Sequence, residues 1–197
     1  MEKEKEERME YKLILASNSP RRRELLGGLD IPFEVRVLRG IDESYPEGLS
    51  GEEIPQYISR EKAHAYSLQP DEVLITADTI VYLDGRVYGK PADEAEACQM
   101  LRELSGRTHQ VITGVTLTTA EWQDSFSSVS HVTFAQLTDQ EILYYVQTYR
   151  PFDKAGAYGI QEWIGFVGVT GLQGSYFNVM GLPIQRLYSK LCEHHIL

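Results

Sequence analysis

Two short runs, one apolar throughout and one interrupted only by Thr76, constrain this chain more than any other feature. Leu13-Ile14-Leu15-Ala16 is followed at once by Ser17-Asn18-Ser19-Pro20, and the run Val73 to Ala77 ends at Asp78. A run that is apolar at every position suits a strand covered on both faces, and such strands occur in sheets flanked by helices. Both runs end in polar residues. Ligands of open α/β sheets gather beyond the carboxyl ends of such strands.

The surrounding pattern agrees with that class. Ser19 is a good N-cap and Pro20 a good first helical residue, so a helix is expected from Pro20 to about Leu26, stopped by Gly27-Gly28. Residues 33–38 read as a strand. Ser50-x-x-Glu53 and Thr138-x-x-Glu141 are capping-box patterns. The first opens a helix carrying Ile54, Tyr57, Ile58 and Ala65. The second opens one carrying Ile142, Tyr145, Val146 and Tyr149. Residues 80–83 and 87–89 flank Asp84-Gly85 as a hairpin. A helix over 91–104 presents Ala97, Met100, Leu101 and Leu104. Residues 111–119 and 125–133 are rich in β-formers around a turn near 121–124. Residues 156–181 read as glycine-rich and irregular, and 183–191 as a closing helix. Strands and helices alternate without a strict βαβ rhythm, which predicts an α/β fold with a mixed twisted sheet flanked by helices. The expected organisation is a charged extension over 1–10 and a single domain over 11–197.

Charge and cysteine usage remove several classes. The 197 residues carry a formal charge of −10, which argues against a general nucleic-acid binder, because phosphate contacts supply most of the affinity of such proteins. No run reaches the roughly 18 apolar residues of a membrane span, and Met1 to Glu10 is too charged for a signal-peptide core. Cys98 and Cys192 form no metal-binding spacing; two thiols in such a chain point to the cytoplasm. The chain has no GxxxxGK[ST], HExxH, GxSxG or GxGxxG pattern. His194-His195 reads as a terminal tail.

Four segments carry possible chemistry, each with a plain structural alternative. Ser17 to Arg23 places hydroxyls, a helix N-terminus and three arginines together, which suits an anion; a capped helix with a basic turn has the same sequence. Asp78 suits a divalent metal or a proton-accepting role, or an ordinary turn. Asp42, Glu43, Lys62 and Lys90 are each typical surface charges, yet together they supply carboxylates for a hard cation and cations for phosphoryl charge. In Phe152 to Gln161, small residues surround Lys154, and Gln161 offers a donor and an acceptor to a base edge; a tight structural turn is the alternative.

In this order, the segments resemble the Maf family of nucleotide pyrophosphatases. The matching text is LILASNSPRRRELL, ISREKA, LITADTIV, GKPAD, VITGV, DKAGAYGIQ and GLPI, spanning about Tyr11 to Leu191. The extension before Tyr11 lies outside the family pattern, and residues 117–130 carry none of its motifs. The resemblance implies a fold related to inosine-triphosphate pyrophosphatases. It implies cleavage between the α and β phosphates of a nucleoside triphosphate, a divalent cation (Mg²⁺ or Mn²⁺), a cytoplasmic setting and pairing into a homodimer. Arg21, Thr79 and Gln161 match the branch acting on dTTP and UTP rather than the branch preferring a methylated guanine nucleotide. The expected roles follow. Arg21, Arg22 and the Ser17–Ser19 turn hold phosphates. Lys62, Lys90 and Lys154 neutralise charge on the leaving pyrophosphate. Glu43 and Asp78 lie near the metal, Asp78 activates water, and Gln161 reads the base with Thr79 fixing its amide or shaping the pocket. The rival readings are a nucleotide-binding regulator of cell division without catalysis and a hydrolase of a damaged purine nucleotide.

Overall fold

The computed structural model describes residues 11–197, so the expected lead-in over Met1 to Glu10 lies outside the described residues. They are organised around a seven-stranded sheet of order β2-β1-β3-β5-β6-β7, with β4 paired to β3 off that path. β1 (Lys12–Leu15) lies between parallel neighbours β2 (Phe33–Val35) and β3 (Glu72–Leu83). Leu13, Ile14 and Leu15 are all buried, as a strand covered on both faces requires. The remaining pairs are antiparallel: β3 with β5 (Thr108–Thr118), β5 with β6 (Gln123–Phe134), and β6 with β7 (Val169–Gln173). The sheet is mixed, as expected. No helix among the described residues is long and apolar enough to cross a membrane.

β3 departs from the sequence reading. It does not end at Asp78 but runs through Asp78-Thr79 as one 12-residue strand. β5 pairs with it without a break from Leu74 to Tyr82, so ladder bonds outweigh the two polar side chains. On the opposite edge β1 pairs only with 72–75 and β4 (Arg86–Tyr88) only with 81–83. From Thr76 to Ile80 that edge has no strand beside it, an opening of roughly 15 Å at the usual strand rise. The Asp84-Gly85 hairpin forms as expected, both residues having positive φ (50° and 82°), the geometry of a tight two-residue turn.

Helices cover both faces. α2 (Glu53–His64) packs Ile54 and Ile58 against Ile80 and Ile112. The other face holds the larger core, with Ala77, Val81, Val111 and Val115 meeting α3 (Glu94–Leu104), α4 (Asp139–Tyr149) and α7 (Ile184–Glu193). α2 crosses β5 so closely that a Cβ on Gly114 would sit 2.3 Å from the Gln56 nitrogen. Gly114 is the register partner of Asp78. The Ser59 hydroxyl lies 2.7 Å from that of Thr116, and the Thr76 hydroxyl donates to the Ser59 carbonyl at 2.7 Å. This close seating brings the last turn of α2 over Asp78.

Several boundaries differ from expectation. Ser50 does not cap α2. Its N–H takes the Glu53 carboxylate at 2.8 Å, but an extra turn through Gly51 separates it from the helix, whose N-cap is Glu52. β2 stops at Val35 because β1 has already ended; the Arg36 N–H makes a last bond to the Leu15 carbonyl. α3 starts at Glu94, capped by Asp93, rather than at Pro91. The Thr138 box forms in full, although Tyr149 is exposed rather than core. Residues 156–181 are not irregular: they contain α5 (Trp163–Gly168), β7 and α6 (Tyr176–Met180), with β7 formed by pairing to β6. His194 is no loose tail, since it stacks on Trp122 at 4.1 Å and its Nε2 lies 2.9 Å from Asp124. Cys98 and Cys192 are free thiols.

Gly114→Ala tests the close crossing. It should lower folding stability by about 1–3 kcal/mol, the usual cost of overpacking, and should lower the activity proposed below, because α2 must lift off β5. Urea unfolding measures the first effect; a midpoint equal to wild type would refute the crossing.

Candidate functional site

The site forms where β1 stops and β3 continues. α1 (Pro20–Gly27) begins there. The Ser17 hydroxyl accepts the Ser19 N–H at 3.2 Å, and the Ser19 hydroxyl accepts the Arg22 N–H at 3.4 Å, so the turn caps the helix as expected. Arg22 then takes the place of a missing strand. Its Nε donates to the Gly181 carbonyl at 2.7 Å, and its two terminal nitrogens donate to the Ala77 carbonyl and the Thr79 hydroxyl, each at 3.0 Å. Burial pulls its pKa below the ordinary guanidinium value, with the charge of Asp78 acting in the opposite sense. The sequence reading placed Arg22 on phosphate; in the structure each of its nitrogens already holds a protein acceptor.

Side chains alternate along β3, so Asp78 and Thr79 leave on opposite faces. Asp78 faces α2, where Lys62 Nζ lies 2.9 Å from its Oδ1 and 3.0 Å from Glu43 Oε1. Burial raises the pKa of Glu43, but Lys62, with Lys90 and Arg22 behind it, outweighs that and holds it below the usual carboxylate range. Asp42, the neighbouring acidic residue, binds Ser44 locally and takes no part. The Thr79 hydroxyl is shared among Arg22, Thr113 at 2.9 Å and the Gly181 carbonyl at 3.4 Å. These bonds brace the cavity wall, the second of the two roles expected for Thr79, and none of them reaches Gln161.

The third wall is the segment after α4. The Gly156 N–H bonds the Gly89 carbonyl at 3.0 Å, tying this segment to the stretch that carries Lys90. Gly156 has φ of 69°, and a Cβ there would lie 2.7 Å from Val81. Lys154 is buried, with Nζ 2.8 Å from Asp153 and 3.1 Å from Glu162. Asp153 also takes Arg21 at 3.0 Å. Glu162 is fixed from behind by the Tyr145 hydroxyl, which in turn accepts the Gly159 N–H at 3.0 Å. Gln161 Oε1 is buried with no hydrogen-bond partner, and such an atom is costly unless a ligand satisfies it.

These walls form a cavity of about 390 Å³ lined by Ser17, Ser19, Arg21, Arg22, Glu43, Lys62, Asp78, Thr79, Lys90, Lys154 and Gln161, whereas Asp42 and Arg23 lie outside its lining. Sequence reasoning gave no role to Asp153, Glu162 or Gly181. Asp153 and Glu162 flank residues it did select, but nothing in the chain marks an acidic residue as the partner of a distant arginine or a neighbouring lysine. Gly181 was visible as the start of GLPI, without its use as an acceptor.

A mixed α/β sheet whose interrupted strand edge opens into a cation-lined cavity with carboxylates at its floor defines a protein built for a polyanion. The chain belongs to the Maf-like protein family, whose model matches residues 12–194. A relative from Phocaeicola vulgatus is 66% identical over 92% of this chain and 95% of its own length, and one from Bacteroides thetaiotaomicron is 61% identical over the same shares; both are named dTTP/UTP pyrophosphatase. The Staphylococcus aureus Ham1 protein shares the fold, with a TM-score of 0.54 at 18% identity over 93% of this chain and 99% of that one.

Arg22→Lys tests the brace. A single ammonium cannot serve acceptors arranged for a planar fork. The variant should lose about 2 kcal/mol in urea unfolding, from one or more buried acceptors left unpaired. Arg21→Lys, whose partner Asp153 is exposed, should lose less than about 1 kcal/mol. Equal losses would show that Arg22 is not a brace.

Proposed function

We propose that this chain hydrolyses dTTP and UTP to the nucleoside monophosphate and pyrophosphate. The observation that carries this reading is the unpartnered Gln161 Oε1 in the wall of a cavity that also presents Arg21, Lys62, Lys90 and Lys154. Thymine and uracil present N3–H beside a C4 carbonyl, and one amide can meet both. The cations suit a triphosphate, and the names of the close relatives support the same substrates.

In this reading Arg21 and the Ser17–Ser19 turn hold the phosphates, while Lys62, Lys90 and Lys154 neutralise the charge that develops on the leaving pyrophosphate. Asp78 accepts a proton from the water that attacks the α-phosphorus, and the bond from that phosphorus to the α–β bridging oxygen breaks. Glu43 and Asp78 converge on one ammonium, so their hard oxygen donors also suit Mg²⁺ or Mn²⁺. Among the described residues no group of three or more His, Cys, Asp or Glu could hold a metal, so substrate phosphates and water would complete the shell, the usual habit of Mg²⁺. Such a cation, when bound, lowers the pKa of water and screens phosphoryl charge.

Anion-exchange separation of the products tests the reaction. Monophosphate and pyrophosphate are expected, and activity should vanish with EDTA and return with Mg²⁺ or Mn²⁺. Asp78→Asn should lower kcat by about 10²–10⁴-fold while cooperative unfolding is retained. Orthophosphate and a nucleoside diphosphate as products would overturn the reading. Tight nucleotide binding with no turnover would favour the regulator instead.

Base choice is tested separately by kcat/KM across dTTP, UTP, CTP and GTP. The expected order is dTTP and UTP first, within about a hundredfold of each other because one methyl group contributes little, then CTP, then GTP. Gln161→Ala should flatten this ranking. An unchanged ranking would remove Gln161 from base recognition, whereas a best rate with GTP or its methylated form would overturn the choice of dTTP and UTP and leave the pyrophosphatase reading standing.

A further inference from the structure

Lys154 and Arg21 share an anion that belongs to the protein. The Asp153 carboxylate spans them, with Oδ1 2.8 Å from Lys154 Nζ and Oδ2 3.0 Å from Arg21. These are charge-assisted bonds of the kind a phosphoryl group makes through two of its oxygens. We propose that Asp153 is a built-in competitor for the phosphate position between Arg21 and Lys154, weakening by a common factor every anion that occupies it and so speeding the release of pyrophosphate. The inference rests on the triphosphate reading above and adds to it a device that keeps the product from staying bound.

The asymmetry around Lys154 carries the argument. Its two carboxylate partners differ in how they are held. Glu162 is 20% exposed and locked by the Tyr145 hydroxyl, whereas Asp153 is 58% exposed and anchored only through the two cations. Lys154 itself is 10% exposed. When Asp153 swings out, Glu162 keeps the ammonium in place, so the cation site stays formed with one acceptor position free. Any incoming anion must break the same two Asp153 bonds. An internal competitor lowers every apparent affinity by the same factor, and the ligand with the fewest other contacts is then the first to dissociate. The same exchange helps pyrophosphate leave after cleavage, when Asp153 returns to its cations.

Titration calorimetry of pyrophosphate against the intact protein and Asp153→Asn tests this. The amide keeps the shape but loses the charge. Pyrophosphate should bind the variant about tenfold more tightly, and its inhibition constant against dTTP should fall by a similar factor. Asp153→Ser provides the same comparison if the amide variant folds poorly. Unchanged or weaker pyrophosphate binding in a folded variant would overturn the proposal and make Asp153 a residue that merely orients Arg21 and Lys154. The calorimetry needs no turnover. A chain that cleaves no nucleotide sinks the proposed function, whereas normal product formation with unchanged pyrophosphate affinity sinks only this inference.

Discussion

The interrupted edge of β3 is the constraint on which the rest of the structure depends. One side of the strand is paired to β5 without a break, while the other is served by β1 up to Ile75 and by β4 only from Val81. Buried backbone groups require partners, and at Ala77 the Arg22 guanidinium supplies one that a neighbouring strand would otherwise provide. A side chain that replaces a strand leaves an opening beside it. Through that opening Asp78 on one face and Thr79 on the other border the same cavity, which a closed sheet would keep apart.

The charges inside are arranged in repeated fashion. Lys62 and Lys154 each hold one sheltered and one open carboxylate, Asp78 with Glu43 and Glu162 with Asp153. Pairing makes it possible to bury a lysine, and exposure leaves one partner free to exchange for a ligand. The cavity is thus cationic where a polyanion would lie, although the chain as a whole is strongly acidic at −10.

Much of this was legible in the chain, for identifiable reasons. Leu13 to Leu15 are apolar at every position because β1 is covered on both faces. Thr138 and Glu141 signal a helix start through bonds that are local in sequence, and Asp84-Gly85 signals a turn because Gly reaches positive φ without a steric cost. Non-local causes were hidden. The continuity of β3 depends on β5, β7 exists because β6 offers an edge, and α2 starts later than Ser50 suggests because an extra turn intervenes.

The same division holds for the site. By itself the sequence determined which chemical groups are present and in what order: hydroxyls and arginines after β1, Asp78 within an apolar run, lysines beside glycines, and Gln161 after them. These follow from residue type and local spacing, and the family pattern is written in the same letters. Only the tertiary structure decided their partners. Arg21 and Arg22 are neighbours of identical chemistry, both half-buried, yet one meets exposed Asp153 and the other is bonded to Ala77, Thr79 and Gly181. Successive residues of a helix point about 100° apart, and what each then meets comes from segments more than fifty residues away. No local pattern along the chain encodes that choice.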